Sequence, residues 1–316
     1  MNKQHDFYLG IDTSNYTTSL AICDEYGNVV ANIKKLLDVK EGERGLRQSD
    51  AVFAHIKNIP ELTSKIKEII KDGKIVAVGV STKPRDVEGS YMPCFLSGKA
   101  VAYGIGAAVN VPVYEFSHQV GHIMAALYSC GCANEIVDRD FIAFHVSGGT
   151  TETLYVTPNS YSFNADILAD TADISAGQAI DRTGVMMGLK FPCGKEIETL
   201  AKQNINKLPP IKVSVNNGKV NFSGLENISN KLYAETNDKS LVSAYVLSFV
   251  SKTLVKLTCD IREKYPLVPI VYAGGVMSNA HIKSELSKFE NVYFAMPEFS
   301  SDNAAGIALL THRTHR

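Results

Sequence analysis

The sequence contains no tryptophan and almost no net charge: 32 Lys and Arg stand against 33 Asp and Glu, a formal charge of -1 over 316 residues. The first absence removes one stacking platform for a base, although 14 Tyr and 13 Phe keep aromatic contacts available. The second removes any global attraction for a phosphate backbone or an anionic membrane, so an RNA contact has to come from a local patch. Continuous apolar runs are also short. None reaches the roughly 18 to 20 residues of a spanning helix, and the run near Val101 to Val113 is broken by Gly, Asn and Pro, so a soluble chain with no membrane partner is expected. No positively charged leader runs into an apolar segment, and Cys23, Cys94, Cys130, Cys132, Cys193 and Cys259 are too sparse for a disulfide framework; unpaired thiols in a cytoplasmic setting are the expectation. The Cys130-Gly131-Cys132 pair has no second pair at finger spacing, which argues against a four-thiolate zinc site.

Several fingerprints are missing too. There is no Gly-x-x-x-x-Gly-Lys-Ser/Thr loop, no Gly-x-Gly-x-x-Gly turn, no His-Glu-x-x-His and no serine nucleophile elbow. Direct protease chemistry and the two commonest phosphate-binding loops therefore have no support.

What is present is a chain with 45% hydrophobic residues, 23 Gly and 11 Pro, enough to bury one large core or two ordinary ones. DFYLGIDTSNYTTSLAICDEYGNVVANIKKL reads as three antiparallel strands with hydroxyls at the first turn. Ser49–Ile70 has helical apolar spacing, KIVAVGVST is a core strand, FLSGKAVAYGIGAAVN a small-residue helix and VPVYEF a strand. A second cycle opens at FIAFHVSGGTTETLYVTPNSYSF, again strand, Gly/Thr turn, strand. The stretch from Asp173 to Asn204 carries two helical patterns interrupted by FPCGK, Ser240–Tyr265 is a long amphipathic helix, PIVYAGGVMSNAHIKSEL gives strand, turn and helix, and SSDNAAGIALL opens a last helix. Two related α/β lobes are expected, with a boundary near residue 115.

Four turns, at residues 12–19, 147–151, 191–198 and 273–279, would together wrap a nucleotide, although each alone reads equally as a structural turn. In SHQVGHIMAALYS, His118 and His122 share one helix face and can take a common divalent ion, or serve as capping or core histidines. His145 on the next strand and Asp302 at a late helix start complete three nitrogens and a carboxylate, a set suited to zinc or iron.

Taken in order, these motifs resemble the tRNA N(6)-adenosine threonylcarbamoyltransferase family, once called glycoprotease, from GIDTS to SSDNAAGIALL. The resemblance implies a two-lobed actin-like ATPase fold of duplicated ribonuclease-H-like domains: residues 1–115, completed by a helix at 303–316, and residues 116–302, with a helical insertion near 173–204. It implies transfer of threonylcarbamoyl from its adenylate to adenine 37 of tRNA. Cofactors are then a divalent metal, iron or zinc, and ATP or an adenylate. By the same resemblance His118, His122 and Asp302 match metal ligands, and His145 stands where some relatives have a metal-contacting tyrosine. Ser147, Gly148 and Gly149 match the phosphate-facing turn. Asp181, Gly194, Glu198 and Asn279, with Gly274 and Gly275 in the AGGVMSN turn, match the nucleoside-binding positions, and Ser223 and Gly224 a further family segment.

The departures are specific. The family opening E-T-S-C-D-[DE]-T is here DTSNYTT, so Asn15, Tyr16 and Thr17 replace a thiol and two acids. The loop after the KIVAVGVST strand brings in Lys83, Arg85 and Asp86, Thr150 replaces a histidine, and Lys195 a glycine. Two readings stay open: a divergent transferase, and a paralogue that keeps nucleotide and metal but uses another acceptor or serves as a noncatalytic scaffold. A small-molecule kinase, with Asp86 as its base, is a weaker alternative. The resemblance also implies tRNA and a smaller homologous subunit as partners, the latter at the helical segment after Lys40. Lys40, Arg44 and Arg47 there, and His312, Arg313, His315 and Arg316 at the C-terminal end, are candidate RNA contacts or simply solvated charge.

Overall fold

The computed structural model describes residues 5–14, 16–38, 46–71 and 73–316; Asn15, Lys40 and Arg44 lie outside them. The chain divides into two compact units, one holding the described residues up to Asp138 with Thr157–Ala165 and Glu298–Arg316, the other Arg139–Val156 and Asp166–Pro297.

In the first unit, β1 (Asp6–Ser14), β2 (Thr17–Asp24) and β3 (Val29–Leu36) form an antiparallel meander, and β4 (Lys74–Lys83) and β5 (Val113–Ser117) add in parallel on the far side of β1. The sheet order is β3-β2-β1-β4-β5. The parallel strands need crossovers, supplied by α1 (Gln48–Ile70) and α2 (Phe95–Val109). Leu9, Ile11, Leu20, Ile22, Leu62 and Val78 are among the buried core. The unit closes with α3 (His118–Ser129), the short α4 (Ala133–Ile136) and, from the end of the chain, α10 (Ala305–His315).

The second unit repeats the plan. β6 (Phe141–Val146), β7 (Thr151–Pro158), β8 (Phe163–Thr171), β11 (Ile270–Ala273) and β12 (Val292–Phe294) stand in the order β8-β7-β6-β11-β12, and the pair β9 (Val215–Asn216) and β10 (Lys219–Val220) extends the β8 edge. α5 (Ala176–Met186), α6 (Gly194–Lys202), α7 (Ser223–Thr236), α8 (Lys239–Lys264) and α9 (Ala280–Leu286) are its helices. The same strand order in both units, with β1–β2 and β6–β7 as matching antiparallel openings, is the duplicated α/β fold that the motif order implied.

Three expectations change. The first unit runs to Asp138 and not to about 115, so α3, with both histidines, belongs to it. Cys130 and Cys132 are joined in a disulfide, because α3 ends there and Gly131, at φ +74°, turns the chain back between them; Cys23, Cys94, Cys193 and Cys259 are free. Finally, α8 is long and apolar enough to cross a membrane by length and composition, yet 72% of its apolar stretch is buried, and Val242, Val246, Val250 and Leu254 lie in the core of the second unit.

One buried group makes the first unit sensitive to acid. His55 on α1 is fully buried, its Nδ1 2.9 Å from Thr18 Oγ1, which also accepts from Asn58 Nδ2 at 3.2 Å. Burial pushes this imidazole down to about 4, against the opposing pull of the Asp12 charge. The unfolded chain, titrating near 6.5, binds the extra proton between those values, so the contribution is fully present above 6.5 and is lost as pH falls towards 4, at no more than about 1.4 kcal/mol per pH unit. Urea midpoints measured across that window should fall with pH, and His55→Asn should flatten the dependence.

Candidate metal centre and nucleotide-facing turns

The histidine pair is presented by a capped helix. Ser117, the N-cap of α3, accepts from Val120 N through Oγ at 3.4 Å, and the next residue is His118. One turn later His122 lies on the same face, with its Nε2 2.9 Å from His118 Nε2. Asp302, in the loop just before α10, places Oδ1 3.3 Å from His122 Nε2 and 3.6 Å from His118 Nε2. These are the three donors that lie within 4.8 Å of one another among the described residues. Donors bound tetrahedrally to zinc at 2.0–2.1 Å stand about 3.3 Å apart, close to the separations here, and two imidazoles with one carboxylate are a donor set that zinc or ferrous iron accepts.

Two structural devices bring Asp302 to the helix. α3 and α10 pack so closely that a Cβ on Gly306 would overlap the Gly121 carbonyl. The loop is also tied down: Lys34 Nζ donates to Ser301 Oγ at 2.7 Å and to Glu298 O at 3.2 Å, and Asn303 Nδ2 donates to Phe299 O and Ser301 O. Burial disfavours the Asp302 carboxylate, but hydrogen bonds from His118 and His122 hold it well below the usual carboxylate range. Burial likewise lowers His118, and the carboxylates of Asp12 and Asp302 more than reverse this, raising it to about 10.

Sequence reasoning missed Asp12, whose Oδ2 lies 2.7 Å from His118 Nδ1, and Thr17, whose hydroxyl donates to Asp302 Oδ2 at 3.5 Å where an acid was expected. The sequence signals for Asp12 are an acid within the apolar run YLGID of β1 and its place opposite the first acid of the family opening. The basic loop after β4 docks on α3: Asp86 accepts from Ser117 Oγ at 2.7 Å and pairs with Lys83 at 2.9 Å, and Gln119 N donates to Pro84 O.

The other candidates lie in the second unit, His145 among them. Its Nδ1 is 3.9 Å from Glu152 Oε1, its partner across β6 and β7, and it is outside the three-donor group. The nucleotide-facing candidates form a connected set. Ser147 closes its turn by accepting from Gly149 N and Thr150 N, and the start of α5 lies against it, with Gly177 N donating to Ser147 O and Ser175 Oγ to Gly148 O. Gly274, at φ +106°, backs on Val146, where a Cβ would overlap the carbonyl. Asp181 accepts from Cys193 N at 2.7 Å, which places α5 beside Gly194; burial raises this carboxyl despite that bond. Glu198 accepts from Ala280 N at 3.4 Å, next to Asn279, which caps α9. Gly148, Gly149, Gly194 and Gly275 all face open space where a side chain would stand, so a ligand can come close to the backbone there.

The C-terminal basic residues are already engaged. His312 is buried against Glu25 O, Arg313 pairs with Asp138 at 2.5 Å, Arg316 donates to Glu25 O, and His315 lies against Tyr114. That end is folded structure and not a free basic tail.

Solved structures with the same architecture define the class. Full-length HypF in its phosphate- and nucleotide-bound form superposes with a TM-score of 0.59 at 15% identity, over 99% of this chain and 55% of that one. A ROK family glucokinase from Streptomyces griseus, in complex with glucose and AMPPNP, gives 0.51 at 11% identity, over 96% and 98%. The fold is therefore that of the actin-like ATPases. Within that class, the family model "TsaD: tRNA N6-adenosine threonylcarbamoyltransferase" matches residues 28–309, and this chain belongs to that family. Relatives bearing the same name include those of Streptococcus sanguinis, 29% identical over 96% of this chain and 90% of its own length, and of Streptococcus pneumoniae, also 29% identical over the same shares.

Proposed function

We propose that this protein transfers threonylcarbamoyl from its adenylate to the adenine at position 37 of tRNA, as a divergent member of its family. The observation that carries the reading is the three-donor cluster of His118, His122 and Asp302 in a chain that matches the family model over most of its length.

The chemistry asks for alignment more than for a protein nucleophile. The adenine amine attacks the carbamoyl carbonyl, a nitrogen–carbon bond forms, the bond from that carbon to the adenylate phosphate breaks, and AMP leaves as the amine gives up a proton. In the second unit, the turn at Gly148 and Gly149, open where side chains would stand, and the N-terminal end of α5 beside it suit the phosphate. In this reading Asp181 and Glu198 would accept ribose hydroxyls, and Gly194, Gly274, Gly275 and Asn279 would line the nucleoside. In the first unit, His118, His122 and Asp302 would hold zinc or iron. When bound, such an ion supplies positive charge for the oxygens of the reacting group. Lys34 and Asn303 keep the Asp302 loop in place.

As partners we propose tRNA, held by local patches or by a second protein because the net charge offers little, and a smaller homologous subunit. A surface suited to the latter is α1, which exposes Phe53 and Ile56 on one face. The second reading, a nucleotide- and metal-binding paralogue with another acceptor, is favoured by the replaced opening acids, with Thr17 now bonded to Asp302, and by the loop after β4, whose Asp86 pairs with Lys83 and bonds the α3 N-cap Ser117.

The test is incubation of the purified protein with threonylcarbamoyl-adenylate, unmodified tRNA and the proteins that copurify with it, followed by nucleoside mass spectrometry. Threonylcarbamoyladenosine should form in tRNA. Retained binding of an ATP analogue without any modified nucleoside would favour the other acceptor.

A further inference from the structure

We propose that Asp12 is the positioning residue of the metal centre: it takes the Nδ1–H of His118 and so presents the Nε2 lone pair of that ring to the ion. The proposal rests on the metal reading above. Asp12 sits on the central strand β1 and is 1% exposed. A carboxylate there is costly unless it is paired and hydrogen-bonded, and each of its oxygens has a partner. Oδ2 is 2.7 Å from His118 Nδ1 and Oδ1 accepts from Ser81 Oγ at 2.5 Å. Ser81 is itself fully buried, on β4 beside β1. Ser19, paired with Asp12 across β1 and β2, donates through Oγ to the Asp12 carbonyl and fixes the strand behind it.

The consequence follows from proton counting. An ionised carboxylate only accepts, and a neutral imidazole carries one N–H. In the neutral ring that would bind a metal, the N–H facing Asp12 is on Nδ1, and the Nε2 lone pair lies on the side of His122 Nε2 and Asp302 Oδ1. A carboxylate behind a ligating histidine fixes both ring orientation and tautomer. Ser81 acts in the same way from further back, by holding the carboxylate plane.

A purely structural Asp12, one that only anchors α3 to the sheet, would change stability and leave metal affinity alone. Zinc binding by competition with a chromophoric chelator separates the two, with thermal melts of the metal-free protein as the control for folding. The variants are Asp12→Asn, Asp12→Ala and Ser81→Ala, read beside wild type and His118→Ala. Asp12→Asn keeps the volume, so it carries the test if alanine does not fold. Folded Asp12 variants should bind zinc about 10- to 100-fold more weakly, and Ser81→Ala, which keeps the carboxylate, should lose a smaller factor in the same direction. In zinc-loaded wild type, nitrogen NMR should place the His118 proton on Nδ1, and that signal should be lost in the Asp12 variants. Affinity within about twofold of wild type in a folded Asp12 variant would overturn the proposal while leaving the metal reading intact. A wild type that binds zinc no better than His118→Ala would overturn the metal reading, and the role of Asp12 with it.

Discussion

Gly306→Val is expected to destabilise the first unit by about 3 kcal/mol or more and to abolish metal binding with it. A Cβ at 306 would meet the Gly121 carbonyl and the Ala125 amide, backbone atoms that cannot rotate away as a side-chain end can. Overpacking by a methylene or two usually costs about 1–3 kcal/mol; here the added group lies between two helices in backbone contact. To fit it, α10 has to move off α3, and Asp302 precedes α10 while His118 and His122 ride on α3, so the separations of 3.3 and 3.6 Å from carboxylate to imidazoles would open as the helices move apart. Urea unfolding gives the first effect and zinc titration of whatever stays folded gives the second. A folded variant with unchanged zinc affinity would mean that helix spacing does not set the cluster.

Removing both imidazoles should have the second large effect. The double variant His118→Ala, His122→Ala leaves one carboxylate of the three donors, and zinc affinity should fall on the order of 1,000-fold or more. It also leaves Asp12 buried without its main partner, and breaking a buried pair from one side costs about 3–5 kcal/mol, so the metal-free protein should melt earlier as well. The wild-type titration should depend on pH, with a definite sign. Asp12 and Asp302 raise His118 to about 10, so the metal-free site holds a proton at neutral pH that an incoming ion must displace. Zinc affinity should therefore fall as pH falls, and the double variant should lose that dependence.

Much of this could be read in the sequence because it is local. The four-residue histidine spacing needs only a helix, which the apolar run after His122 predicts, and the alternation around DFYLGID and FIAFHV needs only a sheet face. The small residues at strand ends, 147–149 and 274–275, mark turns wherever they occur. What escaped is carried by long separations. Asp12 and His118 are 106 residues apart, and nothing near Asp12 says that its carboxylate meets a ring. Thr17 reads as a lost acid until the loop before α10 brings Asp302 to its hydroxyl. The unit boundary was misplaced because α3 follows β5 as if opening a new lobe, while its partner α10 comes from the far end of the chain. The Cys130–Cys132 disulfide was missed because the argument from sparse cysteines concerns a framework and says nothing about two thiols across one glycine. At the C-terminal end a cluster of basic residues looks the same on paper whether it is free or, as here, engaged with Glu25 and Asp138.

The measurement that tests the central claim most directly is the metal dependence of tRNA modification. Protein stripped by a chelator, then supplied with zinc or ferrous iron, threonylcarbamoyl-adenylate, unmodified tRNA and its copurifying proteins, is assayed by mass spectrometry beside the His118, His122 double variant. The account predicts threonylcarbamoyladenosine with the restored wild type and little from the stripped protein or the double variant. Equal modification by all three would contradict it.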